Sequence, residues 1–144
     1  MTEKVKVSVY LEDVAGEMEM INNESSIFYN METGEFVFYS EHYSDEAIDL
    51  DEFEEDKYVC LPSQFDIDEY SIMRKFVEDV EDARKQELLS VALEGKGAFR
   101  RFKDTLHRVD MTDKWYAYKT QAFIEIAREW CEENGIPYKD KKRT

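Results

Sequence analysis

Glycine and proline are scarce, at five and two in 144 residues. That scarcity argues against a turn-rich all-β sandwich or barrel. Cysteine is scarcer still for chemistry: Cys60 and Cys131 stand far apart and outside any CxxC spacing, so each is expected to act as a small buried hydrophobe. No apolar run approaches the ~20 residues that cross a bilayer. The opening MTEKVKVSVY lacks the apolar stretch of a signal peptide. A soluble, cytoplasmic protein with no membrane partner is the expectation. His42 and His107 are the only histidines, in unrelated contexts, and His107 beside Arg108 is expected at the surface. No zinc-ligand spacing and no G-x-S-x-G elbow occur. The carboxylates are too many for a catalytic pair to be chosen among them. No catalytic residue, metal or cofactor is assigned, and the balance lies against an enzyme.

What is present suits a packed domain. Hydrophobic residues make up 42% of the chain and aromatics 14%, with nine Phe, nine Tyr and two Trp. Such a load argues against disorder despite the charge. A chain of this length buries roughly 68–70% of its unfolded surface and needs no staple. The net charge is −15, unevenly placed: residues 95–144 hold 12 Lys/Arg against 8 Asp/Glu, and residues 1–94 hold 7 against 26. The long acidic part repels polyanions. Because charges are screened beyond about 8 Å at physiological salt, a segregated basic face can still act locally.

Periodicity predicts an α+β chain with one domain over residues 1–144: an acidic α/β portion at 1–62, a helical portion at 63–136 and a basic tail at 137–144. After a short strand or helix lead-in, Val9, Leu11, Val14, Met18 and Ile21 recur at helical spacing over about residues 10–21. The aromatic runs Ile27–Tyr29 and Phe36–Tyr39 flank Met31-Glu32-Thr33-Gly34, a hairpin whose Gly34 supplies the positive φ. KYVCL at 57–61 reads as a third strand of a small antiparallel sheet, ended by Pro62. Four helices follow, expected to pack as a bundle against that sheet. Asp66 with Glu69 forms a D-x-x-E start, and Tyr70, Met73, Phe76, Val77 and Val80 share a face. The next helix spans about Asp82 to Glu94, with Leu88, Leu89, Ala92 and Leu93 apolar, and Gly95 as its left-handed cap. The third starts near Gly97 and carries Phe99, Phe102, Leu106 and Val109. The last runs from Thr112 or Asp113 to Asn134 with Trp115, Tyr118, Ala122, Phe123, Ile126, Ala127 and Trp130 in its stripe, stopped by Gly135 and Pro137. Phe99, Phe102 and Trp115 are expected in the core.

The most distinctive segment is Glu94-Gly-Lys-Gly-Ala-Phe-Arg-Arg-Phe-Lys-Asp104. Two glycines bracket a lysine just before a helix start, where free N–H groups and the positive end of the helix dipole suit an anion. Lys96, Arg100, Arg101 and Lys103 crowd cations there, against the dipole, which makes sense if an anion or distant carboxylates neutralise them. Gly95, Lys96, Gly97, Arg100, Arg101 and Lys103 are therefore the candidate anion-binding set, for a phosphate-bearing ligand or RNA. The structural alternative is a plain αα-turn whose arginines pair with internal acids. The spacing is not that of a P-loop. Two helices with a glycine-containing turn over 86–106 have the outline of a helix-turn-helix, but Arg101 and Asp104 stand where a packed recognition helix wants apolar residues. Phe99, Trp115, Tyr116 and Tyr118 offer rings for stacking on a single strand. An enzyme on a phosphorylated substrate would use the same turn.

Residues 41–56, EHYSDEAIDLDEFEED, hold nine acids and no Lys or Arg. They read as a solvated loop or frayed helix. The functional alternative is a protein–protein adaptor, with the interleaved Ile48, Leu50 and Phe53 meeting a basic partner. The run lacks the glycine of a calcium loop.

GEFVFY in the hairpin, LP at 61–62, IMRKF at 72–76, GKGAFRRFKD at 95–104 and KWYAY at 114–118 together resemble the bacterial uncharacterised protein family 0158 of the UPF series. The resemblance covers roughly residues 8–136, and G-[KR]-G-A-F-x-x-F-K-D is its most specific part. It implies a bacterial source and a small cytosolic protein. It carries no activity and no catalytic residues to transfer.

Overall fold

The computed structural model describes residues 7–21, 25–40 and 57–140. In chain order they form strand β1 (Val9–Tyr10), helix α1 (Leu11–Met18), strands β2 (Ser25–Asn30), β3 (Phe36–Ser40) and β4 (Tyr58–Cys60), helices α2 (Gln64–Ile67), α3 (Glu69–Glu78), α4 (Ala83–Ala92), α5 (Ala98–Arg108) and α6 (Thr112–Glu133), and strand β5 (Tyr138–Lys139). The mixed α+β class, with an N-terminal sheet and a C-terminal helical region, is as the sequence predicts. The acidic run 41–56, His42 and the last four residues lie outside the described residues. The chain divides into two compact units, Met1–Ile67 with Phe123–Thr144, and Asp68–Ala122.

The first unit is built on the three-stranded antiparallel sheet β3-β2-β4. Strand β2 lies in the middle, with Tyr29 opposite Phe36 on one side and Val59 on the other. Its alternation sends Ile27 and Tyr29 inward, both essentially fully buried. The hairpin closes on Asn30, whose side-chain oxygen accepts the N–H groups of Glu32 and Thr33 at 2.9 and 3.2 Å. Gly34 follows at φ 81°, and a Cβ there would stand 3.0 Å from Val7 Cγ1. Tyr29 sits edge-on to Trp130 at 5.9 Å, and Trp130 Nε1 donates to the Cys60 carbonyl at 2.9 Å. Leu11, Val14 and Met18 of α1 are buried as their spacing predicts. Helix α6 ends in a Schellman arrangement: Gly135 at φ 64°, and the Ile136 N–H reaching the Cys131 carbonyl at 2.8 Å.

Several expectations are corrected in this unit. The start of the basic tail is held in place. β5 pairs parallel with β1, Val9 against Tyr138, and Asp140 forms an ion pair with Arg128. Cys60 is exposed on the edge strand β4, while Cys131 is fully buried as expected. Asp66 does not begin the helix that carries Phe76. It closes a reciprocal box with Ser63, each accepting the other's N–H at 3.1 Å, which starts the short α2 instead.

In the second unit Asp68, at φ 51°, caps α3 by accepting from Ser71 N. Asp82 caps α4, accepting from the N–H groups of Arg84 and Lys85 at 3.0 Å each. The core is a set of edge-to-face rings: Phe76 on Trp115 at 5.4 Å and on Phe102 at 6.3 Å, with Phe102 on Trp115 at 5.2 Å. Two aromatics leave their predicted places. Ile72 takes the buried position on α3, and Tyr70 stands at the surface, its hydroxyl donating to the Leu93 carbonyl at 2.9 Å. Phe99 is 45% exposed, since Ala98, Phe102, Thr105 and Leu106 already make up the buried face of α5 and Phe99 falls beside it.

Candidate functional site

The turn between α4 and α5 places every residue of the predicted anion-binding set. Helix α4 stops at Leu93, and the chain reverses through Gly95 at φ 74° and Gly97 at φ 75°. L side chains rarely adopt that region, so the two glycines let a four-residue turn link the helices. Gly97 is also the N-cap of α5 and, lacking a side chain, provides no cap hydrogen bond. The first-turn N–H groups of α5 thus have no side-chain acceptor from the cap residue.

The four cations of the set do not act alike. Arg101 turns back across the end of α4. Its Nε donates to the Ala92 carbonyl at 3.2 Å, and its two terminal nitrogens donate to the carbonyls of Glu94 and Lys96. These are among the carbonyls a helix C-terminus leaves without partners, and they form its negative end. Arg101 therefore satisfies backbone, and among the described residues no carboxylate pairs with it. Tyr70 completes the end by taking Leu93.

Lys96, Arg100 and Lys103 remain at the surface. No ion pair or hydrogen bond from their side chains occurs among the described residues. Arg100 and Lys103 lie three residues apart on α5, and His107, also exposed, follows four residues later. That spacing lines them along one outward face. Phe99 borders it, so an exposed ring stands beside the cationic row.

On the other flank of α5 lies a groove of about 620 Å³ shared with α4. Its rim holds Arg84, Arg101 and Arg108 together with Glu87 and Asp104, and Leu88 and Val91 form its apolar part. Arg84 and Arg108 were not singled out in the sequence. The i, i+4, i+7 series Arg84, Leu88, Val91 on α4 was the available signal, but in sequence Leu88 stands out only as one of the helix's apolar residues. Leu88 is 39% exposed and Val91 59%, while Leu89, Ala92 and Leu93 are buried.

Among the described residues no group of three or more His, Cys, Asp or Glu side chains is placed to hold a metal ion. No helix among them is long and apolar enough to cross a membrane.

The model of the uncharacterised protein family UPF0158 matches residues 8–142, nearly the whole chain, and the protein belongs to that family. A UPF0158 protein of Pseudomonas aeruginosa is 24% identical over 111 residues, which cover 76% of this chain and 72% of that relative. No solved structure matches with significance. The Gly95–Lys103 turn lies inside the family match, so it belongs to the shared domain.

Proposed function

We propose that this chain is a non-enzymatic binding or regulatory protein of the bacterial cytoplasm, and that it engages a phosphate-bearing ligand through Lys96, Arg100 and Lys103 at the start of α5. One observation carries the reading. In a chain with 34 acidic residues against 19 basic ones, three neighbouring cations stand exposed with no carboxylate partner among the described residues. They flank a helix N-terminus with no side-chain cap. Phosphate oxygens would take both the ammonium and guanidinium donors and the first-turn N–H groups.

The test is a thermal-shift titration at low salt with inorganic phosphate, nucleotides and short single-stranded RNA. It compares the natural chain with K96A/R100A/K103A, a variant chosen to leave Arg101 intact. A ligand at a hundred times its dissociation constant stabilises by about 2.7 kcal/mol. The expected result is a shift in the natural chain that disappears in the variant, with the unliganded Tm unchanged. A preference for RNA over free phosphate would identify a strand as the ligand. No shift with any probe, or an equal shift in the variant, overturns the reading.

A further inference from the structure

Helix α4 has two apolar faces. One is consumed inside the helical unit by Leu89 and Ala92. The other presents Leu88 and Val91 to solvent, three residues apart and therefore adjacent on the helix surface. That outward face carries Arg84 near the N-terminal end, and Glu94 follows just past the C-terminal end, three residues beyond Val91, both exposed. Neither side chain has an ion-pair partner among the described residues. With Glu87 beside Arg84 on the same rim, the two ends of the face still carry a cation and an anion about the apolar pair.

That order is complementary to itself when reversed. We infer that this face docks a second copy of the same chain, α4 against α4 in antiparallel orientation about a two-fold axis near the midpoint of Leu88 and Val91. From that midpoint Arg84 lies about 8 Å along the helix in one direction and Glu94 about 7 Å in the other, at a rise of about 1.5 Å per residue. Each Arg84 then meets the Glu94 of the other copy, twice per interface, as an isologous contact requires. Leu88 packs against Val91 at the centre. A parallel arrangement sets Arg84 against Arg84 and Glu94 against Glu94, and is disfavoured. The antiparallel one also opposes the two helix dipoles favourably.

Charge selects this surface among the alternatives. Residues 1–94 carry 26 acids against 7 bases, so most approaches of one copy to another are repulsive. The groove beside α4 holds both signs, with Arg84 and Arg108 near Glu87 and Asp104. Repulsion between copies is weakest where the acidic excess is offset by cations, as Arg84, Arg101 and Arg108 offset Glu87 and Asp104 here, and the exposed apolar pair sits there. A strongly acidic or strongly basic partner would gain little from so mixed a rim.

The experiment is sedimentation equilibrium of the full chain over a range of concentrations, with R84E, E94R and their equimolar mixture. All substituted side chains are exposed, and circular dichroism checks that each variant keeps its helix content. A single small interface predicts an association in the micromolar range or weaker, so loading extends to ~0.5 mM. The natural chain is expected to pass from one to two chains per particle. Each variant alone sets like charges opposite each other twice and should weaken the dimer by about ten-fold or more. The mixture restores both opposite-charge contacts and should recover the natural affinity. A natural chain that stays single throughout overturns the inference, as does a dimer that either variant leaves unchanged or that mixing does not restore.

Discussion

Arg101 Nε donates to the Ala92 carbonyl at 3.2 Å, so a cation in the first turn of one helix closes the last turn of the helix before it. In sequence Arg101 looks misplaced, a positive charge at the positive end of α5. The Gly-Lys-Gly reversal brings the C-terminus of α4 within its reach, and there the charge is favourable. Removing the guanidinium leaves the carbonyls of Ala92, Glu94 and Lys96 to water or to nothing. R101A is expected to lower stability by about 1–3 kcal/mol. R101K should recover only part of it, because one ammonium cannot replace a planar fork reaching three acceptors. Urea unfolding measures both. The same variants should leave the phosphate response described above in place once measured below their transition.

The two glycines of the turn should differ in their tolerance of alanine. Both have φ near +75°, which costs an L residue roughly 1–2 kcal/mol. At Gly95 the added Cβ meets nothing within 4 Å, whereas at Gly97 it stands 3.2 Å from an Arg101 guanidinium nitrogen. G97A therefore adds displacement of the arginine to the backbone strain. Chemical denaturation should rank G97A as the more damaging, and combining G97A with R101A should cost less than the sum of the two. Strict additivity would show that Gly97 serves the backbone alone.

Local signals made much of this fold legible before any coordinates. The hairpin announced itself through β-prone aromatic runs around Gly34, and Gly95, with its positive φ, marked the reversal after α4. The pairing of β1 with β5 was not legible, because two-residue strands at opposite ends of the chain leave no periodicity to read. Tyr70 and Phe99 were assigned inward on spacing alone, yet a helix with more apolar residues than its buried stripe can hold must expose some, and neighbours decide which. At the candidate site the cluster of cations was visible in the sequence. The separate employment of Arg101 was not, since its partners are backbone carbonyls and no residue identity encodes them.

The two tryptophans should respond differently to loss of the indole N–H. Trp130 Nε1 donates to the Cys60 carbonyl at 2.9 Å. Trp115, 1% exposed and enclosed by the rings of Phe76, Phe102 and Tyr118, finds no acceptor for its Nε1 among the described residues. Trp→Phe removes similar volume at both. At Trp130 it also breaks a bond and strips an acceptor of its partner, while at Trp115 it removes a buried donor that was already costing stability. W130F is expected to be more destabilising than W115F by about 1–2 kcal/mol. Equal losses would mean that Trp115 Nε1 is satisfied by an ordered water.

The thiols set an alkaline limit on the first unit. Burial pushes Cys131 up to about 11, with nearby Glu132 adding to the rise. Partial burial also raises Cys60, with Asp66 adding to the rise and a hydrogen bond with Ser26 opposing it. In the unfolded chain both ionise near pH 8.5. Because the folded value is raised, the contribution to stability is intact below that pH and is lost as pH climbs through the folded value. Stability should therefore fall between about pH 8.5 and 11 by about 3 kcal/mol from Cys131, taking about 1.4 kcal/mol per tenfold difference in proton affinity. C131A should flatten that part of the pH profile while lowering stability at neutral pH, where the buried side chain packs. Alkylation provides an independent check: exposed Cys60 should react with iodoacetamide in the native chain, faster as pH rises, and Cys131 only at the rate of unfolding. Prompt modification of both cysteines at pH 8 would show that the region around Cys131 opens without global unfolding, and the alkaline loss would then be smaller than stated.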